Sequence, residues 1–296
     1  VRISDQQVTD LRVYEVNSAY ESLTQAQTVL STGRQINTPS DNPIGTGTAL
    51  GLQARLSQNA AFLTTANDAE SWMQTTSNAL NGVNSALLQV RTLAVQGAND
   101  TLTPDERTAL AAQVGQLIRQ GVEAANATYN GQYVLSGRQT LTIPFTAATA
   151  TTGAVTVTYQ GDSGTINREL SAGVTSQINV AGSTALPAVF SAMSQLQSDL
   201  LSGNASTISG DLSTIDKAQS GLLLAQTTAG AITNRVTAAQ GSLQSAVTTL
   251  TNQYSGIVNA DFAKASVDFN ARNTTYQAAL TTAAKVVQSS LMDFLK

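Results

Sequence analysis

Residues 45–51 read GTGTALG, a glycine run close to the fingerprint that seats a dinucleotide pyrophosphate on a helix N-terminus. That chemistry needs a buried strand before the glycines and an acidic residue on a second strand about 20 residues on. Here INTPSDNPI precedes them, which is turn chemistry, and the chain at the downstream position is inside a helical stripe. No nucleotide or other cofactor is expected. Paired carboxylates are the next chemistry to weigh. Asp105 and Glu106 lie in TPDE (103–106), where Thr103 can cap a helix, Pro104 fits its first turn and Glu106 completes a capping box. Asp261 and Asp268 fall on one helical face with Lys264 between them, the pattern of a solvated face. The chain has no histidine and no cysteine, and its lysines are Lys217, Lys264, Lys285 and Lys296. Imidazole and thiolate metal ligands, Ser–His and Cys–His pairs and disulfides are therefore excluded. The expectation is no catalytic set, no metal site and no enzyme.

The elements that carry these residues are long and periodic. Thr9, Val13, Val16, Tyr20, Leu23, Gln27 and Leu30 recur in alternating steps of four and three, a heptad seam. The seam stops in LSTGRQINTPSDNPIGTGTALG (30–51) and restarts at Leu52, running to Ala94. A helix of roughly 45 residues is about 65 Å long, which suits a bundle or coiled coil. A further stripe follows TPDE and ends at Asn130-Gly131. From residue 132 the chain changes character: QYVLSG, TLTIPF, AVTVTYQG, TINREL and TSQINVAG are β-branched runs separated by turn residues. Helical periodicity returns at Val189, breaks at Gly203-Asn204, and continues from Ile208 to Ile257 and again from Phe262 to the C-terminus. Phe262, Phe269, Tyr276, Phe294 and Leu295 concentrate bulk in an otherwise Ala- and Thr-lined segment. They are either an intramolecular core or a face buried only against neighbouring subunits.

Composition agrees with this layout. The 296 residues are 5% aromatic and 11% charged, a poor recipe for a compact aromatic globule and a good one for long helices packed through small side chains. The net charge of −4 gives no basic footprint, so nucleic acid is not an expected partner. No window approaches the ~20 apolar residues of a membrane span, and VRISDQQVTD lacks the apolar run of a secretory signal peptide. The N-x-[ST] triplets at Asn99, Asn126, Asn204 and Asn273 are read as chance. The expected fold is mainly α: a long coiled-coil or helical-bundle rod formed by both chain ends, with a small β-rich domain inserted mid-chain. Its parts are 1–32 with 255–296, a spoke at 33–47, a bundle of 48–131 with 185–254, and the insert at 132–184. Pro39, Asp41, Asn42 and Pro43 are read as turn-makers that interrupt helix, with Gly33, Gly45 and Gly47 as hinge positions.

Several motifs in order resemble one family. VRIS at the start, LSTGRQINTPSDNP at 30–43, NGQYVLSGRQTLTIPF at 130–145 and the terminal SSLMDFLK together look like the flagellar hook-associated protein 3 family, relatives of flagellin. The resemblance covers roughly 1–145 and 205–296; the insert has no matching motif. It implies a structural, non-enzymatic subunit exported to the bacterial flagellum without a cleaved signal peptide. It also implies an adaptor at the hook–filament junction, self-assembling between hook-associated protein 1 and flagellin and met by an export chaperone on the way. The terminal helices would form the assembly interface through Val13, Val16, Tyr20, Leu23, Leu30, Phe262, Phe269, Tyr276, Leu280, Leu291, Phe294 and Leu295. The insert would face outward. Two other readings stand beside it. A filament-forming flagellin shares the L-S-x-G-x-x-I-N block. A surface-binding module on a helical stalk would need an aromatic cluster, but Trp72 lies in the helical region and Tyr159 has few companions in the insert.

Overall fold

The computed structural model describes the backbone of residues 2–203 and 205–294 and the side chains of 7–203 and 206–285. Its elements in chain order are α1 (Arg2–Thr32), α2 (Pro43–Gly97), α3 (Pro104–Ala125), three short hairpins, α4 (Leu186–Ser202), α5 (Ala205–Val258) and α6 (Phe262–Phe294). The fold is mainly α with a small β-rich region in the middle, as the periodicities indicate. The chain divides into two compact units, 1–58 with 246–296 and 59–245, and α2 and α5 each lend a portion to both.

The unit 59–245 holds the large core. Leu80, Val83, Leu87 and Val90 of α2 pack with Val114 and Ile118 of α3, with Val189, Phe190, Met193 and Leu196 of α4, and with Ile215, Leu222 and Val236 of α5. Every one of these side chains is fully or almost fully buried. Burial of a Leu- or Phe-sized side chain contributes about 1.5–3 kcal/mol, so this unit supplies its own driving force. Polar side chains set the antiparallel register of α2 against α5. Gln240 donates to Glu70 at 2.8 Å, Gln226 to Asn81 at 2.9 Å and Arg91 to Asp216 at 2.8 Å. The TPDE signal works as read: Thr103 accepts from the Glu106 backbone while the Glu106 carboxylate accepts from the Thr103 N–H at 2.8 Å.

The β-rich region is three separate antiparallel hairpins rather than one sheet. They are β1 (Thr128–Tyr129) with β2 (Gln132–Tyr133), β3 (Phe145–Thr149) with β4 (Val155–Tyr159), and β5 (Asn167–Ser171) with β6 (Val174–Gln177). Polar clamps hold the middle hairpin to the helices. The Asn126 amide exchanges hydrogen bonds with the Phe145 backbone at 2.8 and 3.0 Å, and buried Gln197 of α4 accepts from Val155 N at 2.7 Å. Phe145 then packs against Phe190 with ring centroids 5.3 Å apart.

One local expectation is corrected. Pro43, read as a helix interruption, opens α2 instead, and Gly45 and Gly47 lie inside that helix. A proline at the first helical position gives up an N–H that would be unpaired anyway. Helix α2 is consequently 55 residues long and starts before Leu52.

Candidate functional site

In the unit formed by 1–58 and 246–296, α1 packs antiparallel on α6, and Tyr20 meets Tyr276 at 5.6 Å between ring centroids. The half-buried residues of α1 are Thr9, Arg12, Val16, Ala19, Ser22, Leu23, Ala26, Val29 and Leu30. Three of the seven seam positions expected from hydrophobic spacing are exposed, Val13, Tyr20 and Gln27, although the Tyr20 ring still reaches Tyr276, and their neighbours Arg12, Ala19 and Ala26 are half-buried. Alanine lets two backbones approach closely, so packing prefers it to the bulkier neighbour that a hydrophobicity pattern selects. On α6, Ala265 is buried and Phe269, Asn273, Tyr276, Ala279 and Ala283 are half-buried.

Among the polar residues of the pair's outer surface, several large apolar side chains are exposed. Val13 is 54% exposed, Tyr20 55%, Phe262 68% and Leu280 43%. Val8, Leu11, Tyr14 and Val267 are exposed as well and were not singled out from the sequence, because they fall off the principal stripe. The side chains of Leu291, Phe294 and Leu295 lie outside the described residues. A groove of about 440 Å³ runs along the pair between Tyr14, Ser18 and Ser22 of α1 and Ala271, Arg272 and Thr275 of α6. Its lining also includes Ala19 and the charged Glu15. Such a surface has the chemistry of a helix-packing face.

The segment joining α1 to α2 is built, not slack. Gly33 adopts φ 67°, the left-handed conformation that glycine takes without steric cost, and its N–H closes the helix on Val29 O at 2.9 Å. Arg34 then forms an isolated antiparallel bridge with Asn259, flanked by Gln35 N to Val258 O at 2.8 Å and Ala260 N to Gly33 O at 2.9 Å. Next, Thr38 to Asp41 make a turn with Pro39 at its second position. The Asp41 carboxylate accepts from Thr38 N at 2.8 Å, Asn37 N at 2.9 Å and Thr38 Oγ1 at 2.9 Å. These donors, the Thr38 amide first, hold the Asp41 carboxyl below the usual aspartate range. Asn42 caps α2 by accepting from Gly45 N at 2.8 Å. At Gly45 a Cβ would stand 2.6 Å from the Asn42 amide and 2.8 Å from Ile36 Cδ1, so glycine is what lets buried Ile36 and the cap coexist. Gly47 has open space around it.

Chemistry of the reactive kind is sparse. Among the described residues no group of three or more carboxylates could hold a metal ion, and no helix is long and apolar enough to cross a membrane. Burial, and then the charge of Asp162, push the Tyr159 phenol up to about 12, so it stays protonated and donates to Asp162 O at 2.8 Å. The Asp162 carboxylate is itself spent on the Arg138 and Gly164 amides, at 2.7 and 2.9 Å.

Known proteins agree with that character. The bacterial flagellin N-terminal helical region matches residues 3–140, and the bacterial flagellin C-terminal helical region matches 212–295. Flagellar hook-associated protein 3 of Salmonella typhimurium is 28% identical over 166 residues, which cover 55% of this chain and 52% of that protein. A flagellin of Clostridium tyrobutyricum is 35% identical over 128 residues, covering 43% of this chain and 33% of its own. The crystal structure of Bacillus cereus FlgL superposes with a TM-score of 0.60 at 22% identity, covering 69% of this chain and 99% of that one. The matched segment thus spans about half the length of the hook-associated relative and a third of the flagellin.

Proposed function

We propose that the chain, matched toward both ends by the helical regions of bacterial flagellin and in part by a hook-associated protein 3, is a structural subunit of the bacterial flagellum acting as an adaptor at the hook–filament junction. Flagellins and hook-associated proteins are structural, not enzymatic. In this reading the subunit is exported to the flagellum, escorted by an export chaperone. Outside the cell it joins copies of itself, hook-associated protein 1 on one side and flagellin on the other. Residues 1–32 with 255–296 form its assembly layer and 33–47 its spoke. Residues 48–131 with 185–254 form the surrounding bundle, and 132–184 face outward.

One observation carries the reading: the helices at the two ends of the chain pair with each other yet leave Val13, Tyr20, Phe262 and Leu280 in water. Large apolar side chains exposed on both helices of a pair are the mark of a surface completed by other chains. Val16, Leu23, Leu30, Phe269 and the Tyr20–Tyr276 pair are assigned to the seam within the subunit, while Val13, Phe262, Leu280 and the exposed part of Tyr20 are assigned to contacts between copies. A flagellin that builds the filament itself is the competing reading, favoured by the 35% identity to a flagellin.

Location separates the two. An epitope tag in the exposed turn at 150–153 is expected to label intact flagella as a band at the hook–filament boundary. Label along the whole filament makes the chain a flagellin, and label elsewhere on the cell surface removes both readings. Purified protein adds a second check: long filaments grown from this chain alone under salting-out conditions contradict the adaptor.

A further inference from the structure

The stretch NGQYVLSGRQTLTIPF (130–145) has no part in assembly through the terminal helices, and it builds a fixed knob. Thr142 N donates to Gln139 O at 2.9 Å and closes a turn over QTLT. Around it, Tyr133 N donates to Thr140 O at 2.8 Å, Arg138 N to the Asp162 carboxylate at 2.7 Å and Gln160 N to Pro144 O at 2.8 Å. Hydrogen bonds thus hold the turn on both flanks. It presents Leu141, 82% exposed, and Ile143, 47% exposed. No other large apolar side chain described in the 59–245 unit is as exposed as Leu141. The turn is already ordered, so a partner that covers Leu141 gains its burial with little further loss of entropy.

The same unit carries a groove of matching chemistry. It lies between α2 and α3, has a volume of about 440 Å³, and is lined by Gln89, Thr92, Leu93, Gln113, Gln116 and Leu117. Leu93 and Leu117 are half-buried, and the four polar side chains are exposed. None of the six is charged, and neither is any residue of QTLTI (139–143). A charged side chain seated there would lose hydration with no counter-charge to offset the loss. Leucine, isoleucine and threonine suit both the apolar and the amide lining. Leu141, being exposed, does not fill the groove of its own subunit. The hairpin leading into the knob is pinned to α2 at 68–72, where Tyr129 donates to Asp68 at 3.0 Å and its ring meets Trp72 at 6.2 Å. The groove lies about 20 residues further along α2, roughly 30 Å from that anchor.

We propose that Leu141 and Ile143 of one copy insert into the α2–α3 groove of a neighbouring copy, a bundle-to-bundle contact additional to the one between terminal helices. It rests on the reading that copies of this chain assemble, not on their position in the flagellum. Knob and groove are different surfaces, so each copy offers one of each to its neighbours.

Thiol cross-linking of the purified full chain tests this, because the protein has no cysteine of its own. Thr142→Cys and Gln113→Cys proteins are mixed at high concentration and treated with a short bis-maleimide, one of them isotopically labelled so that mass spectrometry separates mixed from like dimers. The mixed dimer is expected several-fold above that from Val174→Cys with Gln113→Cys, Val174 being likewise exposed on a hairpin. Adding Leu141→Ser to the Thr142→Cys protein should bring the yield down to that control, with circular dichroism unchanged because the side chain stands in water. Leu224 of α5 is the rival knob, and Leu224→Ser should leave the yield as it is. A yield no higher than the control, or one lost with Leu224→Ser and kept with Leu141→Ser, overturns the contact. The tag at 150–153 reports location independently. A band at the hook–filament boundary without the cross-link removes this contact alone, and the cross-link without the band removes the adaptor reading alone.

Discussion

The two compact units are built from the same kind of helix and differ in how many neighbours each helix has. In the 59–245 unit α2, α3, α4 and α5 cover one another, and large side chains such as Phe190, Met73 and Leu87 are sealed from water. In the other unit the buried apolar side chains among the described residues are Ile36, Ala49, Leu52, Val258 and Ala265. Of these, only Ala265 belongs to the α1–α6 pair. Two helices alone can hide one stripe each, and ordering about 30 residues per helix costs on the order of 1–2 kcal/mol each in backbone entropy. Burial at about 25 cal/mol per Å² does not offset that cost on a half-wet seam lined with alanine. The lesson is that similar sequence texture gives a self-sufficient bundle where four helices meet and a dependent pair where two do.

Mutations can break or sharpen that contrast. Phe190→Ala removes a ring packed on Phe145 and against Gly121, and should cost about 3–5 kcal/mol in denaturant unfolding of the 59–245 unit. Gly137→Ala should cost about 1–3 kcal/mol in the same unit. Its φ is 73°, and an added Cβ would collide with the carboxylate and backbone of Asp162. Leu23→Ala in the terminal seam should cost less than about 1 kcal/mol in the free protein, because the side chain is only half-buried there. Tyr20→Ala loses the exposed Tyr276 ring contact and should lower free-protein stability by no more than about 1 kcal/mol, yet reduce incorporation into flagella, read by the tag at 150–153. A large loss of monomer stability from Tyr20→Ala would erase the distinction between the units.

The joint gives a local, pH-dependent test. Asp41 has a lowered folded-state pKa, so its contribution is present above the unfolded value of 3.8 and disappears as pH falls through the folded one. Amide protection at Asn37 and Thr38 is expected at neutral pH and should vanish on strong acidification. Asp41→Ala should remove it at every pH, with the 59–245 core unchanged.

Much of this was legible in residue order because it is local or periodic. TPDE predicts the α3 cap from four adjacent residues, and the switch to β-branched runs marks the insert. The seam of α1 was half legible: Val16, Leu23 and Leu30 sit where the heptad puts them. Arg12, Ala19 and Ala26 were missed because small or charged side chains carry no hydrophobic signal. GTGTALG gave up its false nucleotide reading by context, but Gly45 as the residue that makes room for Ile36 needed coordinates. The Arg34–Asn259 bridge joins segments from opposite ends of the chain, and nothing in either sequence announces it. The clamp of the Asn126 amide on the Phe145 backbone joins residues 19 apart and has no sequence signal.

Amide exchange of 7–32 and 262–285, measured in the free protein and again in assembled flagella, tests most directly whether neighbouring copies complete the terminal pair. Those helices should be weakly protected when free and gain about a hundredfold or more on assembly, while the 59–245 core is equally protected in both. Terminal helices as strongly protected in the free protein as in the flagellum would contradict it.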